Sequence, residues 1–91
     1  MSVKKTIKEF ADAMKLKLID LESDDFIGFM TDKESLINLL SFVRDQDDLR
    51  FSTLTDLFAA DFPARKKRFE VCYSLLSMKL NKRLLFKIEV D

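Results

Sequence analysis

The sequence contains no histidine, and it has only one glycine, one proline and one cysteine among its 91 residues. The lack of histidine removes the commonest general base and metal ligand. A single glycine leaves few places for a loop that could cradle a phosphate. The one cysteine, Cys72, cannot form an internal disulfide. Because it lies between Val71 and Tyr73 in an apolar run, we expect a buried and inert thiol.

Long hydrophobic runs are also lacking. No apolar stretch approaches the roughly 20 residues of a membrane span, and the lysine-rich start leads into an amphipathic pattern rather than a secretory signal. We therefore expect a soluble, intracellular chain that can still bind a membrane complex. The length supports a single domain over residues 1–91, and an apolar content of 47% with nine Phe argues against disorder.

The net charge is zero, but the charges are unevenly distributed along the chain. Residues 1–19 carry +3, residues 20–62 carry −8 and residues 63–91 carry +5. This alternation of positive and negative segments favours docking to a protein partner of complementary shape and charge, or pairing between the segments within the chain itself. It does not suit nucleic acid, which is bound by one dominant basic face.

Two stretches have the three- and four-residue spacing of amphipathic helices. The first predicts a helix over about residues 3–15, with Ser2 as its N-cap. The second predicts a helix over about residues 33–44, preceded by a capping box from Thr31 to Glu34.

Alternating apolar residues predict strands in the rest of the chain. A short strand around residues 16–21 and another over residues 26–30 can form a hairpin. Three further strands, over residues 54–62, 69–75 and 84–90, are joined by short connections and predict an antiparallel meander. The first of these three ends before Pro63, which cannot donate to a strand ladder. Its predicted apolar row consists of Leu54, Phe58, Ala60 and Phe62.

These elements predict an α+β fold of two layers, with both helices on one face of a mixed sheet of four to five strands. The sequence leaves open which strand of the meander receives the first strands. The second sheet face then needs a cover, since a monomer rarely leaves an apolar patch exposed. We expect this face to be an interface, and self-association of the isolated chain is one expected consequence. The residues assigned to it are Leu57, Ala59, Cys72, Leu76, Met78 and Leu85.

Two carboxylates, Asp56 and Asp61, stand inside an apolar run and are the only candidates for acid–base catalysis. They are five residues apart, which is an odd number, so their side chains point to opposite faces of an unbroken strand. A bulge between them could bring the two carboxylates to the same face. We favour a role in capping a strand end and in pairing with Arg65, Arg68 or Arg83. The basic run from Arg65 to Arg68 fits either an acidic partner, anionic lipid or a solvated loop.

The second half of the chain resembles the C subunit of the respiratory proton-pumping NADH:quinone oxidoreductase. Three ordered blocks carry the resemblance: Asp56-Leu-Phe-Ala-Ala-Asp61-Phe-Pro63, then Arg68-Phe-Glu-Val with Tyr73 and Leu75-Leu-Ser77, and then Asn81 with Arg83. The resemblance implies a non-redox subunit of the hydrophilic arm, which supports the quinone-pocket subunit by protein contacts and binds no cofactor. It also implies a peripheral location at the cytoplasmic face of the inner membrane, with Asp56 and Asp61 supporting strand ends and contacts between subunits.

The resemblance further implies that residues 1–91 are the N-terminal part of a longer subunit. Family members continue into a segment with a Glu-Arg-Glu…Asp run and a Gly-His-Pro, whereas this sequence has no His. We therefore expect a truncated chain or a divergent relative. The residues assigned to an interface are Asp56, Asp61, Arg65, Arg68, Leu76, Arg83 and Leu85; no catalytic, cofactor or metal residue is assigned. The alternatives are a free-standing protein-interaction module and, less favoured, a small hydrolase that uses Asp56 or Asp61.

Overall fold

Two helices and five strands make up the fold in a computed structural model, which describes residues 3–23, 26–64, 66 and 69–90. The helices are α1 (Val3–Ala13) and α2 (Lys33–Asp45). The strands are β1 (Ile19–Asp20), β2 (Ile27–Thr31), β3 (Phe51–Asp61), β4 (Phe69–Ser77) and β5 (Lys82–Val90). The predicted α+β class is confirmed.

The sheet has the order β1-β2-β5-β4-β3. Strands β1 and β2 form the predicted antiparallel hairpin, and β3, β4 and β5 form the predicted antiparallel meander. Strand β2 joins the meander by parallel pairing with β5, with Phe29 opposite Phe86. The sequence did not predict which strand of the meander pairs with the first two strands. That strand is β5, the last in the chain, and β3 therefore lies at the far edge of the sheet.

Both helices pack on one face of this sheet. Pairing places Phe29, Phe86 and Tyr73 in one row across β2, β5 and β4, so these side chains point to the same face. The apolar stripes of α1 and α2 cover that face, and the rings of Phe10 and Phe42 stack at 3.9 Å between the helices. The buried core consists of Val3, Ile7, Ala11, Phe29, Leu36, Leu39, Val43, Leu49, Phe51, Leu75, Leu84, Phe86 and Ile88.

Helix α1 ends two residues before the predicted position. Lys15 adopts a left-handed conformation with φ of 57°, and the Leu16 and Lys15 amides donate to the Ala11 and Asp12 carbonyls at 2.8 and 3.2 Å. This is a Schellman motif, which satisfies the last carbonyls of the helix. The proposed N-cap Ser2 lies outside the described residues.

The predicted capping box is wrong in its first residue. The N-cap of α2 is Asp32, whose carboxylate accepts from the Ser35 amide at 2.8 Å. Thr31 is instead the last residue of β2, where its hydroxyl donates to the Lys17 carbonyl at 2.6 Å. Parallel pairing of Thr31 with Ile88 holds Thr31 in the strand, so the N-cap is one residue later than predicted, whereas α2 begins at Lys33 as predicted.

Strand β3 begins three residues before the predicted start and contains two register shifts, at residues 51–53 and 54–56. Leu54 pairs with Leu75 on the helix-covered face, whereas Phe58 pairs with Cys72 on the other face. The predicted single apolar row is therefore wrong, because one extra residue reverses every side chain that follows.

Candidate protein interface

Strand β3 is the most exposed element of the sheet. Only Phe51 is buried, whereas Leu54, Leu57 and Phe58 expose 52%, 53% and 49% of their surface. Phe62 follows the strand and is also exposed. These four side chains, Leu54, Leu57, Phe58 and Phe62, are called the β3 edge surface below. Large apolar side chains grouped on one exposed element indicate a site of protein contact.

The β3 edge surface has apolar side chains on both faces of the sheet. Leu57 pairs with Tyr73 and therefore shares the helix-covered face with Leu54. Phe58 points to the other face, beside Cys72. Leu54 and Leu57 remain about half exposed although they lie on the helix-covered face, so the helices cover this part of the strand only in part.

A groove of about 350 Å³ lies between α2 and β3 on the helix-covered side. Ile37 on α2 is 71% exposed and faces into this groove beside Leu54. The groove thus continues the β3 edge surface onto the helix. Its lining consists of Ile37, Leu40, Ser41, Arg44, Phe51, Ser52, Leu54, Tyr73 and Leu75.

Side-chain hydrogen bonds fix the second bulge of β3. The Thr55 hydroxyl is 3.0 Å from the Ser74 carbonyl oxygen, to which it donates, and 3.1 Å from the Ser74 hydroxyl. Thr55 is the extra residue between Leu54 and Asp56, which pair with consecutive residues of β4. Beyond this bulge, residues 56–61 pair with β4 in unbroken register.

Asp56 and Asp61 do not form a catalytic pair. They pair with Ser74 and Phe69, so they point to opposite faces, as predicted for an unbroken strand. Both register shifts precede Asp56 and do not bring the two carboxylates together. The Asp56 carboxylate accepts from the Leu57 amide at 2.9 Å. Nothing in this geometry supports the hydrolase hypothesis.

The second sheet face contains fewer of the predicted residues than expected. Leu57 and Ala59 lie on the helix-covered face, opposite Tyr73 and Val71, because of the bulge. Cys72, Leu76 and Leu85 do share the second face, and Met78 lies in the turn after β4. Of these, Leu76 and Leu85 are half-buried and Cys72 is buried.

An ion pair crosses this second face beside the thiol. Lys87 Nζ lies 3.2 Å from Glu70 Oε1, and Lys87 is directly opposite Cys72. Burial raises the pKa of the Cys72 thiol, which suppresses the reactive thiolate. The prediction of a buried Cys72 is confirmed.

The predicted basic residues are only partly described. Arg65 and Arg68 lie outside the described residues. Arg83 is exposed at the start of β5, opposite Leu76 on the second sheet face. It borders a groove of about 590 Å³ that also includes Phe26 and Asn81. Whether these residues contact a partner stays a prediction.

A charge cluster of Lys4, Lys8 and Asp20 lies between α1 and β1 and was not predicted from the sequence. Lys8 and Lys4 lie 2.9 and 3.4 Å from the Asp20 carboxylate, which also accepts from the Glu22 amide at 2.7 Å. The Glu22 amide, and then Lys8, lower the pKa of Asp20 to about 2. The helical spacing of the lysines was visible in the sequence, but their acceptor on the next strand was not.

Within the described part of the chain, no group of three or more metal-ligating side chains is close enough to hold a metal ion. Over the same residues, no helix has the length and apolar character required to cross a membrane.

Comparison with known proteins gives one consistent family. Residues 29–91 match the family described as "Respiratory-chain NADH dehydrogenase, 30 Kd subunit". The relatives that are similar over the whole chain include the C subunit of NADH-quinone oxidoreductase from Rickettsia felis, at 39% identity, and that from Rickettsia prowazekii, at 37%. The same subunit from Brucella ovis is 46% identical over 57 residues, which are 63% of this chain and 28% of the relative. The chain spans 44% and 46% of the two Rickettsia relatives.

Proposed function

Because the chain belongs to the family of the 30 kDa subunit of respiratory-chain NADH dehydrogenase, we propose that it serves the oxidoreductase as a non-redox subunit. Its role is to support the quinone-reducing subunit through protein contacts while electrons pass from NADH to quinone. The observation that carries this proposal is similarity over the full length of the chain to proteins named as the C subunit of NADH-quinone oxidoreductase.

The geometry supports a role in contact rather than in chemistry. The two candidate carboxylates diverge, and the thiol is buried. The most prominent feature is the β3 edge surface, in which Leu54, Leu57 and Phe58 are exposed on the two faces of an edge strand and Phe62 is exposed just beyond it. An exposed apolar surface of this kind favours contact with a neighbouring subunit over binding of a small substrate.

The proposed partners are the other subunits of the oxidoreductase, chiefly the one that forms the quinone pocket. Through them the chain is held as a peripheral component at the cytoplasmic face of the inner membrane. Residues 1–91 serve in this proposal as the N-terminal domain of a longer subunit. A free-standing interaction module is the second candidate, since an exposed edge strand fits a partner of either kind.

Co-purification tests the proposed function. The chain is tagged in its own cells, the membranes are solubilised gently, and NADH:quinone reduction is measured in the tagged fraction. We expect the activity to co-elute with the chain at a constant ratio across a sizing column. Elution of the intact, active oxidoreductase without the chain contradicts the proposal and favours the free-standing module.

A further inference from the structure

We propose that the groove at the start of strands β2 and β5 is a docking site for an acidic segment of another subunit of the oxidoreductase. The proposal rests on the proposed function, since the partner is a component of that complex. The groove has a volume of about 590 Å³ and is called the basic groove below. Its described lining consists of Lys4, Ser23, Phe26, Ile27, Asn81, Lys82 and Arg83.

The charged residues of the basic groove have one sign. Lys4, Lys82 and Arg83 are cations, and none of the described lining residues is an acid. Lys4 pairs with Asp20 at 3.4 Å. Lys82 and Arg83 are exposed, and neither forms an ion pair with a described residue. Two cations are therefore left unbalanced by the described part of the chain, and an acidic partner is complementary to them.

The cations lie on both sides of the sheet at this end. Lys82 and Arg83 are consecutive residues of β5, so their side chains point to opposite faces. Arg83 is opposite Leu76 on the second face, whereas Lys82 points to the helix-covered side, where Lys4 of α1 also lies. A segment that passes across the end of the sheet would therefore meet a cation on either side.

Phe26 gives the basic groove an exposed apolar surface beside its cations. A methyl group added at Gly28, the only glycine of the chain, would come within 2.5 Å of the Phe26 ring. The ring therefore lies over Gly28, and a larger residue there would displace it. Gly28 pairs with Leu85 on the second face, which is also the face of Arg83. Because the ring is still 40% exposed, a partner can bury apolar surface next to the guanidinium group.

This arrangement favours a peptide segment over a membrane or a nucleic acid. A membrane attracts basic residues to a broad layer of anionic headgroups, and such a layer placed against either face of the sheet contacts only one of Lys82 and Arg83. A nucleic acid requires one dominant basic face, whereas the net charge of this chain is zero. A short peptide can bend around the end of the sheet and contact both cations.

The acidic loop of a second copy is a poor match for the basic groove. The loop after α2 is the densest acidic stretch among the described residues, with Asp45, Asp47 and Asp48. Asp45 pairs with Arg44 at 2.8 Å, and Asp47 pairs with Arg50 at 2.5 Å. Docking of this loop would bring those two arginines close to the cations of the groove, and like charges at an interface disfavour binding.

The lining describes the partner segment. It contains at least two carboxylates, one for Lys82 and one for Arg83, whose guanidinium can bind a carboxylate through two parallel hydrogen bonds. It also contains an apolar side chain that packs on the exposed ring of Phe26. Since exposed ion pairs contribute little affinity, burial of the ring stabilises the contact, and the charges orient the segment.

Zero-length crosslinking tests the contact directly. A carbodiimide joins a lysine amine to a carboxylate that already touches it, and mass spectrometry then identifies the two linked residues. The reaction is carried out on the purified oxidoreductase that contains the chain. We expect a link from Lys82 to an aspartate or glutamate of another subunit.

Charge reversal tests the contribution of the groove to assembly. Arg83→Glu is expected to reduce the amount of chain recovered in the oxidoreductase at least about tenfold, because it places like charges together. Arg83→Lys keeps the charge and should retain most of the recovery. Lys33→Glu is the matched control, since Lys33 is exposed beyond the opposite end of β2, and it should be recovered like wild type. Thermal melts check that each variant is folded.

Five results would overturn the proposal. Either normal recovery of Arg83→Glu or absence of a link from Lys82 to another subunit refutes the acidic partner but leaves the proposed function intact. A link from Lys82 to Asp24 or Asp25 of the same chain shows that the chain balances the groove itself. A link between an unlabelled and a heavy-labelled copy of the isolated chain indicates a second copy.

The last two results concern other classes of partner. Binding of the isolated chain to vesicles of phosphatidylglycerol that Arg83→Glu abolishes, without a link to another subunit, indicates a membrane surface. Absence of the chain from the active oxidoreductase defeats the proposed function, and this partner with it.

Discussion

At the scale of single residues, Asp20 has the most strongly defined environment. Its carboxylate accepts from the Glu22 amide and pairs with Lys8 and Lys4, and its pKa is lowered from 3.8 to about 2. A carboxyl group whose pKa is lower in the folded state stabilises the fold while it is ionised. The stabilisation is therefore present above about pH 4 and is lost as the pH falls towards 2.

Substitution of Asp20 should remove this pH dependence. We expect the free energy of unfolding of wild type to decrease between pH 4 and pH 2 more steeply than that of Asp20→Asn, as measured by urea denaturation. Asp48→Asn is the control, since Asp48 is exposed in the loop after α2. Parallel pH profiles for wild type and Asp20→Asn would show that the cluster contributes nothing to stability.

The Cys72 thiol should be protected from alkylation. Because it is buried and its pKa is raised, the native chain should react with iodoacetamide at pH 8 at least about tenfold more slowly than the unfolded chain. The rate is followed by mass spectrometry. Equal rates for native and unfolded chain would contradict the buried position of Cys72 on the second sheet face.

At the scale of elements, the bulge at Thr55 determines which side chains β3 presents to each face. Its hydroxyl is bonded to Ser74, so Thr55→Val should lower the free energy of unfolding by about 0.5–1.5 kcal/mol. Thr53→Val is the matched control, because Thr53 is an exposed threonine of the same strand; its effect should stay within about 0.5 kcal/mol. Equal effects of the two substitutions would show that the Thr55 bonds do not stabilise the bulge.

The N-terminus of α2 depends on Asp32. Asp32→Ala should cost about 0.5–2 kcal/mol in chemical denaturation, whereas Asp32→Ser should retain most of the stability because serine also caps. Glu34→Ala tests the alternative capping box and should have little effect on the cap. A larger loss for Glu34→Ala than for Asp32→Ala would restore Thr31 as the N-cap.

The sequence predicts both helices, the hairpin and the meander because their apolar residues recur at the period of the element. It does not predict the bulges, since an extra residue in a strand leaves no local signature when its neighbours are also apolar or hydroxylated. Thr31 and Asp32 are both good caps, and only the pairing of Thr31 with Ile88 decides between them. The Asp20 cluster likewise depends on contacts between elements.

At the scale of the whole molecule, the two uncovered surfaces predict different behaviour. The second sheet face is half-buried and contains an ion pair, whereas the β3 edge surface is open. If the second face is also an interface, Leu76→Glu should weaken assembly with the oxidoreductase and reduce any self-association seen by sedimentation. A monomeric wild type at high concentration, together with normal assembly of Leu76→Glu, would show that this face contacts no partner.

The central claim is that the chain supports the oxidoreductase by contact and not by chemistry. The measurement that tests it most directly is NADH:quinone turnover per assembled complex, together with the amount of complex, in cells carrying Phe58→Lys or Met78→Lys. The account predicts less assembled complex for Phe58→Lys, unchanged turnover in each complex that does assemble, and wild-type values for Met78→Lys. A normal amount of complex with reduced turnover per complex for Phe58→Lys would contradict it.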